Sequence, residues 1–89
     1  MPVVQFTDNL ARQIAAPPCE VEGTTVLECL EAAFRPRPTL RGYILDDQGA
    51  VRQHVVVFVD GEAIKDRLRL GDPVGAASEI FVMQALSGG

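Results

Sequence analysis

The sequence predicts an α+β domain in which a mixed β-sheet packs against one main helix. Several short β-branched or aromatic segments are spread along the 89 residues, and one segment between them has both a helix start signal and a helical apolar stripe. Hydrophobic residues make up 47% of the chain, which suffices for the core of one small domain. We expect residues 1–85 to form this domain and residues 86–89 to form a flexible tail.

Two strand segments lead into the predicted helix. Val3–Phe6 is β-branched and aromatic, and residues 19–22 alternate apolar and acidic side chains, as a half-buried strand does. A capping box follows: the Thr25 hydroxyl can accept from the N3 amide, and Glu28 can reach back. The apolar stripe of this helix comprises Val26, Leu27, Leu30, Ala33 and Phe34. Pro36 ends the helix, because the residue before a proline avoids the α conformation.

The connection after the helix is short. Residues 39–43 are expected to form a connector with at most one helical turn, and Ile44-Leu45 a brief strand. Residues 46–49 are turn residues, with Gly49 able to adopt positive φ. Adjacent Asp46 and Asp47 could form a metal or acid–base pair, but neighbouring side chains usually diverge, so a turn is the favoured interpretation.

The remaining segments predict the rest of the sheet. Residues 52–59 form the strongest strand, and its apolar character on both faces predicts a central position in the sheet. Asp60-Gly61 is a hairpin signal, and residues 62–64 would return as a short antiparallel strand. Residues 79–85 form the last strand. If the first two strands pair as a hairpin and the last strand lies beside the first, the arrangement is a β-grasp.

Composition and charge argue against several functional classes. The net charge of −4 and the pI of about 4.7 disfavour a nucleic-acid binder or a protein that docks on an anionic membrane, but are compatible with a basic partner. There is no signal peptide pattern, and the spacing of Cys19 and Cys29 matches no zinc site. We therefore expect a cytoplasmic protein with reduced thiols, in which Cys29 is a small packing residue.

No set of residues in the sequence predicts an active site. A Gly-Lys-Ser/Thr phosphate loop, a dinucleotide fingerprint, a Ser/His/Asp or Cys/His set and a metal cluster are all missing from the sequence. The single His54 is expected to be a surface or half-buried residue. We therefore expect a carrier or co-substrate that binds no cofactor, rather than an enzyme.

The chain ends in Ala85-Leu86-Ser87-Gly88-Gly89, directly after the last strand segment. Two glycines without Cβ atoms make a thin, freely jointed backbone that can thread a narrow channel and present a carboxylate to another protein. The alternative is a frayed end or a remnant of cloning. The predicted β-grasp order and the lack of an internal active site favour the functional interpretation.

Two parts of the sequence resemble the MoaD/ThiS family of ubiquitin-like sulfur carriers. Val57-Phe58-Val59-Asp60-Gly61-Glu62 is similar to the central strand and hairpin of that family, and residues 78–89 are similar to its final strand and terminal Gly-Gly. The capped helix and the turn at residues 46–49 also occur where the family has them. One region departs from the family pattern. Carriers often have Gly-Asp-Glu and an aliphatic residue just before the last strand, whereas here part of that motif lies in residues 71–74 and part in residues 78–80.

The resemblance implies a ubiquitin-like β-grasp fold and a role in sulfur transfer. A ubiquitin-activating-like adenylyltransferase would use ATP to adenylate the Gly89 carboxylate, with Gly88 beside it. A sulfur donor would convert it to a thiocarboxylate, which passes sulfur to a biosynthetic enzyme. One form of this sulfur-carrier role is the small subunit of molybdopterin synthase. Another is the delivery of sulfur for the synthesis of thiamin, cysteine or a secondary metabolite. The alternatives are a protein modifier that forms isopeptide bonds and a plain interaction module or enzyme subunit.

Strand alternation predicts a partner-binding surface beside the tail. If Ile80 and Val82 point into the core, Phe81 and Met83 point outward, and Phe58 shares their face. These three side chains would form an exposed apolar patch, a feature that usually marks a partner site. Leu86 and Ser87 are assigned to the same partner-binding set. The opposite parity would bury all three side chains in the core.

Overall fold

The computed structural model describes residues 1–6 and 18–84, which form a five-stranded mixed sheet and two helices. The strands are β1 Val3–Phe6, β2 Cys19–Glu20, β3 Val55–Val59, β4 Glu62–Ala63 and β5 Glu79–Gln84. The helices are α1 Val26–Phe34 and α2 Thr39–Ile44. In this part of the chain, no helix has the length and apolar character needed to cross a membrane.

The sheet has the strand order β2-β1-β5-β3-β4, and the fold is the predicted β-grasp. β1 pairs with β2 antiparallel and with β5 parallel, while β5 and β4 both run antiparallel to β3. The expected hairpin of the first two strands and the return of the last strand beside the first are therefore confirmed. The prediction that β3 is central was wrong, because β5 occupies the middle position. The apolar character of a strand indicates that other strands flank it, but it does not indicate how many further strands lie beyond those.

Several predicted elements differ from the observed ones at their ends. The strand expected at residues 19–22 contains only Cys19–Glu20, and the strand expected from residue 52 begins at Val55. Ile44, expected in a brief strand, is the last residue of α2, and Leu45 forms an isolated bridge with Val51. The short helix forms because Leu40 and Ile44, four residues apart, are both buried against the core.

Helix α1 covers one face of the sheet with a stripe in which one predicted residue is replaced by another. Its buried residues are Val26, Cys29, Leu30, Ala33 and Phe34. Leu27 was placed in the stripe but is 37% exposed, because Cys29 takes the core position one turn after Val26. Cys29 is the packing residue that the sequence predicted, and burial raises the pKa of its thiol. A Cβ on Gly23 would lie 2.9 Å from the Cys29 sulfur, so a side chain there would clash.

The start of α1 is held by both local and distant groups. The Glu28 amide donates to the Thr25 hydroxyl at 3.2 Å, as the capping box predicted. The Glu28 carboxylate accepts a hydrogen bond from the amide of Thr24 at 2.7 Å. The capping box predicted the amide of Thr25, one residue later, as the donor. The next two amides, of Val26 and Leu27, donate to the carbonyls of Asp72 and Leu70. The loop after β4 thus caps the helix.

This loop, residues 65–73, is ordered by its own carboxylates. Asp72 accepts from the amides of Lys65 and Asp66, both at 2.9 Å, and these hydrogen bonds lower the pKa of Asp72 below its ordinary value. Leu70 is fully buried with a φ of 55°, a left-handed conformation that a non-glycine residue adopts only when its surroundings require it. The loop therefore connects the edge of the sheet to the start of α1.

We expect the chain to lose stability in acid through Asp72. Because the folded-state pKa of Asp72 is depressed, its stabilisation is fully present above the unfolded-state pKa of about 4 and disappears as the pH falls through the lower, folded-state value. Denaturant midpoints at neutral pH and in acid should therefore differ less for Asp72→Asn than for the parent chain. Asp47→Asn, at an exposed turn carboxylate, is the matched control and should leave the acid-induced loss unchanged. Equal acid sensitivity of the parent and Asp72→Asn would contradict this prediction.

Candidate docking face and tail attachment

The sheet has an inner face against the helices and an outer face that no described element covers. Ile80 and Val82 of β5 and Val57 of β3 are fully buried on the inner face. Strand alternation therefore directs Phe58, Phe81 and Met83 to the outer face, the parity that the sequence predicted.

The apolar side chains of the outer face form one patch across the two strands. Phe58 lies directly opposite Phe81, and Val56 lies directly opposite Met83. All four are half-buried, so the patch is less accessible than the exposed patch that the sequence predicted. Cross-strand neighbours of this size cover part of each other's surface. Val56 was missed by the sequence reasoning, although it shares the parity of Phe58 and could have been found from the alternation.

The row through Phe58 and Phe81 continues into both flanking strands, with an apolar residue on the β4 side and a polar one on the β1 side. Ala63 of β4 lies opposite Phe58, and Gln5 of β1 lies opposite Phe81. The resulting row of Gln5, Phe81, Phe58 and Ala63 crosses four strands. An apolar sheet face of this kind, with aromatic side chains near its centre, has the character of the core of a protein–protein interface.

Asp60 ties the hairpin after β3 to the start of β5. Asp60 and Gly61 have φ values of 51° and 86°, as a tight hairpin turn requires. The Asp60 carboxylate accepts from the Ser78 hydroxyl and the Glu79 amide, each at 2.9 Å, while its own amide donates to the Glu79 carbonyl. These three hydrogen bonds hold the register in which Phe58 faces Phe81.

The tail predictions fall beyond the described residues. Leu86, Ser87, Gly88 and Gly89 lie outside them, and their assigned roles stay predictions. The structure does show where this segment is attached. β5, the central strand, ends at Gln84, so residues 85–89 leave from the end of the strand that carries Phe81 and Met83.

Two other groups singled out in the sequence have structural roles. The Asp46 carboxylate accepts from the amides of Gln48 and Ala50, at 2.9 and 3.0 Å, as expected for a turn. Cys19 is half-buried, and burial raises the pKa of its thiol, which favours the protonated form. Among residues 1–6 and 18–84, no group of three or more His, Cys, Asp or Glu side chains could hold a metal ion.

Comparison with solved structures places this fold among known proteins. SAMP1 from Haloferax volcanii is 27% identical, with a TM-score of 0.77 over 99% of this chain and 98% of that one. A chain of the BexX/CysO complex from Amycolatopsis orientalis is 17% identical, with a TM-score of 0.83 over all of both chains. Urm1 from Sulfolobus solfataricus is 18% identical, with a TM-score of 0.67 over 93% of this chain and 99% of that one. The structural neighbours are small ubiquitin-like sulfur carriers of the MoaD/ThiS type.

The predicted resemblance to MoaD/ThiS carriers is therefore confirmed. The two neighbours below 25% identity support the fold alone, while the resemblance to SAMP1 extends to sequence as well. No protein-family model and no curated protein sequence matches the chain. The neighbours are small carrier or modifier proteins, and a sulfur-carrier or ubiquitin-like role agrees with the fold of this chain.

Proposed function

We propose that this chain is a sulfur carrier whose Gly89 carboxylate becomes a thiocarboxylate. The observation that carries the proposal is the attachment of residues 85–89 to β5, the central strand of a β-grasp sheet whose outer face is apolar. A partner that covers Phe58 and Phe81 also lies beside the strand end from which the tail departs. The likeness to MoaD/ThiS carriers supports the same role.

The proposed chemistry needs an activated carboxyl group. A carboxylate is a poor electrophile until one of its oxygens becomes part of a good leaving group. A ubiquitin-activating-like adenylyltransferase would join the Gly89 carboxylate to the AMP portion of ATP and release pyrophosphate. Sulfide sulfur from a donor would then attack the acyl carbon, AMP would leave, and the thiocarboxylate would remain. ATP is a substrate of the partner, and the carrier itself binds no cofactor in this scheme.

The carrier would use one docking face for two partners in turn. Phe58, Phe81 and Met83 would contact the adenylyltransferase during activation and the sulfur-accepting biosynthetic enzyme during transfer. Leu86 and Ser87 would line the entry of the tail, and Gly88 would let it pass through a narrow channel. A precedent for a carrier bound to a second protein is the BexX/CysO complex among the structural neighbours. We place this exchange in the cytoplasm.

A second candidate function is protein modification. The neighbours from Haloferax volcanii and Methanosarcina acetivorans are described as small archaeal modifier proteins. In this alternative the same acyl-adenylate is formed, but the final acceptor is a lysine amine, and the product is an isopeptide bond to Gly89. The carrier and modifier functions share the tail and docking face and differ in the acceptor.

Intact-mass measurement tests the sulfur-carrier proposal. The chain is incubated with its adenylyltransferase, ATP and a sulfide source, and we expect a mass gain equal to the difference between a sulfur and an oxygen atom. A variant that lacks Gly88 and Gly89 is the control and should show no gain. An unchanged mass of the parent chain with an active enzyme would refute the thiocarboxylate. Higher-mass conjugates that contain this chain in a cell lysate would instead support the modifier.

A further inference from the structure

The outer face carries a charged row at the end remote from the tail. Glu20 of β2 lies opposite Val3 of β1, and Val3 in turn lies opposite Glu79 of β5. The two glutamates therefore flank Val3 in a single row across three strands, and both are exposed. Phe81 lies two residues further along β5, so this acidic row borders the apolar patch directly.

The two carboxylates are close enough for their electrostatic fields to overlap. Two strand spacings separate their backbones by about 10 Å, which is close to the screening length at physiological salt. The described strand positions of the outer face are Val3, Gln5, Glu20, Val56, Phe58, Ala63, Glu79, Phe81 and Met83. Both charged residues in this set are acidic. The described part of this face thus has a negative end and an apolar middle.

Backbone hydrogen bonds hold the acidic row in place. The amide and the carbonyl of Glu79 both bond to Asp60, and Val3 donates its amide to the carbonyl of Ser78. The Glu79 side chain therefore leaves a backbone that is fixed relative to Phe81. Within residues 1–6 and 18–84, no basic group lies within ion-pair distance of either Glu20 or Glu79. A partner that binds the Glu79 carboxylate therefore orders only that side chain and not the backbone that carries it.

We infer that the adenylyltransferase that docks on the outer face is basic where it meets Glu20 and Glu79. This inference rests on the proposed function and adds the chemistry and orientation of the partner surface. A lysine or arginine of the partner would contact the acidic row while apolar side chains cover Phe58 and Phe81. The acidic row begins β5, and the tail leaves its other end about 17 Å away, five residues at roughly 3.3 Å each.

Charge at one end of an apolar face would decide the orientation of docking. An apolar patch alone accepts a partner in either of two opposed orientations, because the hydrophobic effect is not directional. A basic group that must meet Glu20 and Glu79 allows only one of them. In that orientation residues 85–89 point toward the active site, and the tail enters the partner about 17 Å from the basic group. The acidic row would therefore orient the carrier so that its tail points toward the active site of the partner.

Binding measurements with two charge-matched double variants test this inference. Glu20→Gln/Glu79→Gln removes the acidic row, and Asp47→Asn/Glu62→Gln removes two exposed carboxylates elsewhere. Glu62 pairs with Val59, whose side chain packs against the core, so Glu62 does not belong to the outer face. Each double variant loses two of the twelve acidic residues, and both therefore have the same net charge. Binding of each full-length chain to the purified adenylyltransferase is measured without ATP.

We expect the Glu20/Glu79 variant to bind about 5- to 20-fold more weakly at low salt, and to approach the parent affinity at roughly 0.5 M NaCl. The Asp47/Glu62 variant should stay within about twofold of the parent. Equal losses in the two variants, a loss that persists in high salt, or a parent chain that does not bind would each overturn the inference. Charge-dependent binding without a gain in mass would refute the thiocarboxylate and leave the docking inference intact.

Discussion

Replacement of Leu30 by alanine should lower the free energy of unfolding by about 2–5 kcal/mol. Leu30 is fully buried between α1 and the sheet, so its removal loses apolar contacts and leaves a cavity. A domain of this length has a total stability of roughly 4–13 kcal/mol, so the loss is a large share of it. Chemical denaturation followed by circular dichroism measures the change.

Leu27→Ala is the matched control for this prediction. It makes the same chemical change in the same helix, so the intrinsic helix propensity changes equally. Leu27 is 37% exposed, and its loss should be about 1 kcal/mol. The difference between the two variants therefore reports burial. Equal losses would show that α1 does not present Leu30 to the core.

Replacement of Phe81 by alanine should lower the kcat/KM for adenylation of this chain by about 10- to 100-fold. Phe81 lies in the middle of the row that crosses four strands, and a buried aromatic side chain at the centre of an interface often contributes the most to binding. Because the loss is one of docking, KM should rise while kcat changes little. Pyrophosphate exchange, measured at several concentrations of the chain, separates the two constants.

Leu68→Ala is the control for the docking prediction. Leu68 is 75% exposed in the loop at residues 65–73, outside the outer face, and its removal should change kcat/KM by less than about twofold. The unfolding midpoint of Phe81→Ala must lie well above the assay conditions, so that a docking defect is separated from unfolding. A folded Phe81→Ala with the kcat/KM of the parent would remove the outer face from the docking proposal.

Local sequence patterns predicted the elements whose interactions are short-range. The capping hydrogen bond at Thr25 spans three residues, and the hairpin at Asp60 depends on the left-handed conformations of two adjacent residues. The side-chain parity of β5 follows from backbone geometry alone. Each of these features was predictable because the interacting groups lie within one turn or one strand.

The features that the sequence did not predict arise between distant segments. The sequence placed both Leu27 and Cys29 among the packing residues of α1, and only the packing of the helix on the sheet left Leu27 partly exposed. The carbonyls that cap the helix amides come from Leu70 and Asp72, more than forty residues away. The central place of β5 depends on its parallel partner at the start of the chain.

Some features of the candidate site could likewise be predicted from the sequence, whereas others depended on the tertiary structure. The sequence by itself determined which residues within β3 and within β5 share a face, because alternation is a property of each strand. The burial of Val57, Ile80 and Val82 then decided which of the two faces is the outer one. It also provided the hypothesis for residues 86–89. The tertiary structure decided that Phe58 opposes Phe81 and that Glu20, Val3 and Glu79 form one row, because strand register joins segments far apart in the chain. The apolar composition of the outer face could therefore be predicted, whereas its acidic end required the fold.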